Sequence, residues 1–330
     1  MAKVVFIGTG GTISSLGAGP LDIAEYGLQN NRLESDGIVA AVPELAEIAE
    51  VVPVNFAAVP SPNIYFEQWK QLAALCSRLV AEIPDLAGIV IGHGTASLEE
   101  TAYFLNLVLK VAIPVVVVGS QRPMSALSTD AKMNLVNAVR TAASPDSVGR
   151  GVMVLLNDEI HASREVTKTA TFRLQTFKVH DFGMLGYVDG PVVAYYRRTE
   201  RITAPDTEFD ISDLEQLPRV DISYTYAGAD GAAVDAFIAA GAKGIIAAGF
   251  APSGNTPAQV EALSRAREAG VVVVQSTRAG SGIVHRGKRL ADKGFIAADN
   301  LNPQKARILL ALALTRTSDI EEIMRMFRTY

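Results

Sequence analysis

Short apolar runs rich in Val and Ile alternate with longer helical patterns along most of the chain. Six such runs occur, at residues 4–7, 88–92, 114–119, 151–156, 244–248 and 271–275. Runs without polar positions, bounded by glycine or polar turns, are typical of parallel strands covered by helices on both faces. Helical patterns between them, at 97–111, 130–143, 256–269 and 302–315, have lengths suited to crossover connections. The alternation predicts an α/β fold.

The chain is too long for one ordinary hydrophobic core. Its 330 residues favour two domains, or one large domain with a smaller one. Residues 197–218 are rich in Thr, Asp, Glu and Pro, and they show no sustained periodicity. We therefore predict a larger N-terminal parallel-sheet domain over residues 1–196, a linker over 197–218, and a smaller C-terminal α/β domain over 219–330.

The charge pattern and the single cysteine restrict the partners and the cell compartment. The formal net charge is −5, and the Lys and Arg residues are scattered without a cationic run, which argues against nucleic acid as a partner. The sequence has no apolar stretch of membrane-spanning length. Cys76 has no cysteine to pair with and is interpreted as a buried small hydrophobic residue. Because Met1 runs straight into a strand-like segment, we expect a cytoplasmic protein.

A glycine-rich turn follows the first apolar run, at residues 8–15 (Gly-Thr-Gly-Gly-Thr-Ile-Ser-Ser). A dinucleotide fingerprint would need glycine where Ile13 stands, and a phosphate loop would need a lysine that is absent, so a nucleotide-dependent oxidoreductase is disfavoured. The turn can bring backbone N–H groups close to a ligand, beside the hydroxyls of Thr9, Thr12 and Ser14. A plain structural turn is the alternative.

A second strand end passes into a helix at residues 92–102 (Gly-His-Gly-Thr-Ala-Ser-Leu-Glu-Glu-Thr-Ala). Thr95 is well placed for chemistry at this turn. Glu99 and Glu100 fit the first helical turn, where acids are favoured, and His93 between two glycines fits a packed, hydrogen-bonded ring. The histidines lack companions at metal-ligand spacing, so no metal site is predicted.

A third element places Lys168 between two threonines, within residues 164–169 (Arg-Glu-Val-Thr-Lys-Thr). Alone, this lysine fits a solvated surface charge. Near a hydroxyl in a partly buried site, its pKa could be lowered so that it serves as a base.

Taken together, these segments give the chain a resemblance to the bacterial-type L-asparaginases. The resemblance covers nearly the whole chain and rests on two signatures and several shorter matches. They stand, in one order, at residues 9–13, 93–103, 119–123, 133–135, 166–169, 182–187 and 301–307.

The resemblance implies roles for four side chains. Thr12 matches the family's nucleophile, and Thr95 with Lys168 matches the second threonine and the lysine of its catalytic constellation. Tyr26 lies in the segment that resembles the mobile lid, whose tyrosine activates the nucleophile. A hydroxyl is a weak nucleophile, so a neighbouring base relay and N–H donors to the oxyanion would make this chemistry coherent.

The resemblance also implies how substrate is held. Gly11 and Gly94, in the two glycine turns, and Ser61, as a carboxylate ligand, are assigned to the substrate pocket. Sites completed by a neighbouring subunit imply a homotetramer built from dimers, acting on a small molecule without a cofactor or metal.

The chain departs from the family pattern where the substrate's α-ammonium is bound. Ala96 replaces an aspartate of the second signature, and Pro62 replaces a glutamine beside Ser61. Two more ammonium ligands, expected from the C-terminal domain, fall near Pro252 and residues 287–289 (Gly-Lys-Arg). Burying an unpaired ammonium would cost several kcal/mol.

We therefore predict an amidohydrolase that acts on a carboxylate-bearing amide, imide or N-substituted amide without a free α-ammonium. The alternatives are a true L-asparaginase or glutaminase with other ligands for the ammonium, and a non-enzymatic protein that binds small amides. Retention of Thr12, Thr95 and Lys168 together argues against the binding protein, which needs neither a nucleophile nor a base.

Overall fold

A computed structural model describes residues 1–330, apart from the side chain of residue 29. The chain forms two compact units, Met1–Glu208 and Phe209–Tyr330. The larger unit contains a mostly parallel sheet and the smaller one a parallel sheet of its own, which confirms the predicted fold class. The division lies inside residues 197–218, whose role as a linker stays a prediction.

The first unit contains an eight-stranded sheet and a separate two-stranded ribbon. In order along the sheet, β10-β9-β6-β5-β4-β3-β1-β2, the strands from β5 to β2 are parallel and the others antiparallel. The ribbon is β7-β8. The strands are β1 Ala2–Gly10, β2 Ala49–Val59, β3 Leu86–Gly92, β4 Val115–Val118, β5 Val152–Leu156, β6 Glu159–Ala162, β7 Thr167–Lys168, β8 Phe177–Lys178, β9 Gly186–Asp189 and β10 Val192–Tyr195.

Four α-helices accompany this sheet: α1 Ser35–Ala40, α2 Phe66–Glu82, α3 Leu98–Val108 and α4 Ala131–Ala143. Alternate side chains of β1, Val4 and Phe6, join Leu135 and Val139 of α4 in one core cluster, as expected for a strand whose side chains alternate between faces. Cys76 of α2 is fully buried, and this burial raises the pKa of its thiol to about 12.

The strand order creates a switch point between β1 and β3. β1 pairs with β2 on one side and with β3 on the other. The chain therefore runs from β1 to one side of the sheet and then crosses back to the other side. Open α/β sheets bind ligands outside the carboxyl ends of the strands at such a point. The glycine turns that follow β1 and β3 both lie there.

Glycine is required where β1 ends. Gly10 and Gly11 have φ angles of 101° and 81°, which side-chain-bearing residues rarely adopt. A Cβ on Gly10 would lie 2.5 Å from the carbonyl oxygen of Val59. The turn can therefore approach β2 only because a side chain is missing.

The second unit contains a four-stranded sheet in the order β11-β12-β13-β14, parallel throughout. Its elements are β11 Val220–Tyr224, α5 Ala232–Ala239, β12 Gly244–Gly249, α6 Pro257–Glu268, β13 Val272–Thr277, α7 Lys288–Ala291, β14 Ile296–Ala297, α8 Pro303–Ala313 and α9 Ile320–Thr329. Thr256 and Asn302 cap α6 and α8 by accepting backbone N–H bonds, and each helix starts with proline, a combination that favours helix initiation.

Across the residues that the structure describes, no helix is both long and apolar enough to cross a bilayer.

Candidate active site

Thr12 stands at the carboxyl end of β1 in a short 3-10 turn, Thr12–Ser14. The carbonyl oxygen of Gly11 holds this turn by accepting bonds from the backbone N–H and hydroxyl of Ser14 and from the hydroxyl of Ser15. The Thr12 hydroxyl is 2.8 Å from the Tyr26 hydroxyl. The structure therefore brings together the predicted nucleophile and the predicted activating tyrosine.

Tyr26 reaches Thr12 because the intervening loop is fixed at its base and along its length. At the base, the N–H of Leu16 donates to the carbonyl of Asn31, and the N–H of Leu33 donates to the carbonyl of Ser14. Farther along, the N–H of Gly17 donates to the Ser125 hydroxyl at 2.8 Å.

The second pair consists of Thr95, after β3, and Lys168, in β7. Nζ of Lys168 donates to Oγ1 of Thr95 at 2.7 Å. Desolvation lowers the pKa of the half-buried Lys168, and the nearby charge of Glu99 opposes this by raising it. A lysine that is hydrogen-bonded to a hydroxyl and has a lowered pKa can take a proton from that hydroxyl as a base.

Backbone contacts join the two glycine turns to the Ser61 turn. A Cβ on Gly11 would lie 2.1 Å from Cα of Gly94, and a Cβ on Gly94 would lie 2.8 Å from Oγ of Ser61. In addition, the Ser97 hydroxyl donates to the carbonyl of Ser61 at 2.7 Å. Three of the five predicted substrate-binding residues therefore lie in a row beside Thr12, with Gly94 packed between Gly11 and Ser61.

The two substituted positions lie on this surface. Ser61 and Thr95 are buried, whereas their chain neighbours Pro62 and Ala96 are exposed. Neither exposed residue carries a charge or a side-chain hydrogen-bonding group. At these two positions, the pocket therefore offers apolar side chains to a substrate.

His93 lies beside Thr95 but is bonded into the interior. Its Nδ1 is 2.8 Å from the carbonyl oxygen of Gly94, and its Nε2 is 2.9 Å from the Thr101 hydroxyl, which accepts from Nε1 of Trp69. A carbonyl only accepts, so Nδ1 carries the proton, and the Thr101 hydroxyl donates to Nε2. Burial lowers the pKa of His93 to about 4, against the raising effect of its bond to Gly94. The ring is neutral near pH 7 and supports the Gly94–Thr95 turn.

This burial predicts a pH-dependent stability. In the unfolded chain His93 protonates near its ordinary value of 6.5, whereas the folded protein resists protonation down to about pH 4. Stability from this residue is therefore present above pH 6.5 and is lost as the pH falls, by about 1.4 kcal/mol per pH unit and about 3 kcal/mol in all. Urea unfolding between pH 4 and 7 should show a shallower pH slope in His93→Gln. His180→Gln, at an exposed histidine, is the control. An unchanged slope in His93→Gln would refute this role.

Gln121 is a site residue that sequence reasoning did not single out. It is buried, and its Oε1 accepts the Thr95 hydroxyl proton at 3.1 Å. It lies within residues 119–123, a segment that matches the family pattern, but that match assigned no role to this residue. Within the described part of the chain, no group of three or more His, Cys, Asp or Glu side chains is arranged to hold a metal ion.

Comparisons with known proteins give one consistent likeness. The family model for the N-terminal domain of asparaginase matches residues 3–201, and that for the glutaminase/asparaginase C-terminal domain matches residues 219–327. The chain is 41% identical to L-asparaginase 2 of Bacillus subtilis, covering 100% of this chain and 87% of that protein. It is also 41% identical to the glutaminase-asparaginase of Pseudomonas fluorescens, covering 100% and 91%. A crystal structure of a probable cytoplasmic L-asparaginase from Campylobacter jejuni superposes with a TM-score of 0.95 at 37% identity, over 100% of both chains.

Proposed function

The chain belongs to the asparaginase family, whose members are hydrolases acting on C–N bonds, and from this premise we propose that it hydrolyses amides through a threonine nucleophile. The observation that carries the proposal is the hydrogen bond between Lys168 and Thr95 beside the contact of Gly11 with Gly94. This supports the proposal because a lysine hydrogen-bonded to a hydroxyl lies next to the turn that carries Thr12.

In the proposed acylation, the Thr12 oxygen adds to the carbonyl carbon of the amide. The Thr12 proton passes to the Tyr26 oxygen, which lies 2.8 Å from the Thr12 oxygen, and Tyr26 gives its own proton to the leaving nitrogen as the C–N bond breaks. Backbone N–H groups of the glycine turns are the proposed donors to the developing oxyanion. Such preorganised donors typically contribute about 3–4 kcal/mol of transition-state stabilisation each.

In the proposed deacylation, water attacks the ester formed on Thr12. Neutral Lys168 takes the proton of Thr95, whose oxygen takes one from the water, and the hydroxide formed adds to the acyl carbon. As the ester bond breaks, the product acid passes its proton to the Thr12 oxygen and leaves as a carboxylate, and Lys168 returns its proton to water. Burial supports this role because it lowers the pKa of Lys168 and so increases its neutral fraction.

The proposed substrate bears a carboxylate and has no free α-ammonium. The support is the uncharged surface at Pro62 and Ala96, next to Ser61 and Thr95. An ammonium bound at these two positions would give up water without gaining a charged partner, which is unfavourable. An acylated or absent α-amino group avoids this cost.

A substrate panel tests this specificity. Ammonia release is measured under one set of conditions from L-asparagine, L-glutamine, N-acetyl-L-asparagine and succinamic acid, which is asparagine without its amino group. We expect a higher kcat/KM for N-acetyl-L-asparagine or succinamic acid than for either amino acid. If L-asparagine or L-glutamine gives the highest value, the alternative of a true asparaginase or glutaminase holds.

Restoring the acid should shift the preference. Ala96→Asp places a carboxylate beside Thr95, and a hydrogen bond to a charged group is worth about 1.5–3 kcal/mol. The ratio of kcat/KM for L-asparagine to that for N-acetyl-L-asparagine should therefore rise by roughly 10- to 100-fold. Ala96→Asn, which has the same shape without the charge, is the matched control. Equal ratios in the two variants would show that charge does not set the preference.

We further propose a cytoplasmic homotetramer. The support for the compartment is the likeness to the Campylobacter jejuni protein described as cytoplasmic. The support for assembly is a set of exposed large apolar side chains, Tyr65, Phe172, Phe182, Tyr196, Tyr224 and Tyr226, since such surface is often covered by a partner. Light scattering should give four times the mass of one chain, and a fully active monomer would contradict it.

A further inference from the structure

We propose that Gln121 is a positioning residue that directs the hydroxyl proton of Thr95 away from Lys168 in the free protein. The inference rests on the proposed function, because it concerns the base pair of that reaction.

The backbone around Gln121 is fixed by one carboxylate. The N–H groups of Gln121 and Arg122 each donate at 2.9 Å to an oxygen of Asp130. Nδ2 of Asn134 donates to the carbonyl of Gly119 at 3.0 Å and to Asp130 at 3.1 Å. The Gln121 side chain therefore starts from a rigid position.

The orientation of the Gln121 amide is set by its neighbours. Its Nε2 faces two backbone carbonyls, that of Arg173 at 3.1 Å and that of Thr171 at 3.4 Å. Carbonyl oxygens accept and do not donate, so the amide nitrogen must lie on that side and Oε1 must face Thr95. Oε1 is an acceptor as well, which makes the Thr95 hydroxyl the donor in the 3.1 Å contact.

This leaves the Thr95 oxygen as an acceptor for Lys168. A hydroxyl has one proton, and that proton points at Gln121, so the 2.7 Å bond from Nζ of Lys168 is received by a lone pair. This arrangement stabilises the ammonium form of Lys168, and the nearby charge of Glu99 stabilises the same form. Before Thr95 can give its proton to Lys168, its hydroxyl must rotate away from Gln121.

Two substitutions at this position should act in opposite directions. Gln121→Met has a similar length but removes the acceptor, which frees the Thr95 hydroxyl to donate to neutral Lys168. Gln121→Glu keeps an acceptor and adds a negative charge, which favours the ammonium. If neutral Lys168 is the active form, the acidic limb of the kcat/KM profile against pH moves to lower pH in the first variant and to higher pH in the second. We expect shifts of about half a pH unit or more.

The profiles are measured by ammonia release from whichever of N-acetyl-L-asparagine, succinamic acid and L-asparagine gives the wild-type protein its highest kcat/KM. Ser120→Ala is the matched control, because the Ser120 hydroxyl donates to the carbonyl of Arg122 at 2.8 Å within the same turn. Its limb should coincide with that of the wild-type protein. A purely structural role for Gln121 would lower the rate in Gln121→Met without moving its limb to lower pH, whatever the added charge does in Gln121→Glu.

Opposite shifts support the inference, and unmoved limbs or shifts in one direction overturn it. If Gln121→Met does not fold, Gln121→Leu, which also removes the acceptor without adding a charge, decides, and a limb at or above the wild-type position overturns the inference. Failure of the proposed function looks different: the wild-type protein would release no ammonia from any of the three compounds, or Thr12→Ala would remain active.

Discussion

Thr12→Ala is expected to lower kcat by about four to six orders of magnitude, the range typical for loss of a catalytic nucleophile. The reason is that alanine has no hydroxyl to attack the amide, and the 2.8 Å contact between the hydroxyls of Thr12 and Tyr26 is lost as well. The protein should still fold. The Thr12 side chain is only partly buried, so we expect the free energy of unfolding to change by no more than about 1 kcal/mol.

Thr12→Ser serves as the matched control because it keeps the hydroxyl and removes one methyl group. It should retain measurable turnover, whereas Thr12→Ala should not exceed background ammonia release. Circular dichroism and urea unfolding establish that both variants are folded. Wild-type kinetics in folded Thr12→Ala would end the assignment of Thr12 as nucleophile.

Lys168→Met is expected to lower kcat by roughly 10²- to 10⁴-fold, the usual contribution of a general base. Methionine preserves the unbranched shape of the buried stem but cannot take a proton from Thr95. In the wild-type protein, activity should rise with pH as Lys168 becomes neutral, and burial moves this rise to lower pH because it lowers the pKa of Lys168. The acidic limb should disappear in Lys168→Met.

Lys168→Arg separates charge from basicity. Arginine keeps a cation near Thr95 and Glu99, but its pKa is too high for a neutral form to exist near pH 7. If Lys168 acts as a base, both variants should be similarly impaired. If it acts as a fixed charge, Lys168→Arg should recover most of the activity lost in Lys168→Met.

The sequence predicted the centre of the N-terminal sheet well because parallel strands covered on both faces leave a continuous apolar signal. The predicted runs at 4–7 and 88–92 fall inside β1 and β3, and the glycine turns after them lie together as expected. By contrast, β2 was not predicted. It lies at the sheet edge, has only its first residue, Ala49, buried, and contains Pro53, and a proline within an apolar run argues against a strand.

Contacts between distant segments could not be deduced from local patterns. The hydrogen bond between Tyr26 and Thr12 depends on a loop closed at its base, and the one that Thr95 donates to Gln121 crosses 26 positions of sequence. The interpretation of His93 as a packed ring rested on its flanking glycines, while its partners Thr101 and Trp69 depend on how α2 and α3 pack. The spacing of residues along the sequence carries no information about such partners.

The most direct test of the threonine-nucleophile proposal is mass spectrometry of the protein quenched in acid during turnover. Wild-type and Lys168→Met proteins are mixed with N-acetyl-L-asparagine or succinamic acid, digested, and searched for a peptide heavier by the acyl part of the substrate. We predict this adduct on the peptide containing Thr12, with a larger share in Lys168→Met because its deacylation is slowed. An adduct on another side chain, or none in either protein while product accumulates beyond one equivalent, would contradict the proposal.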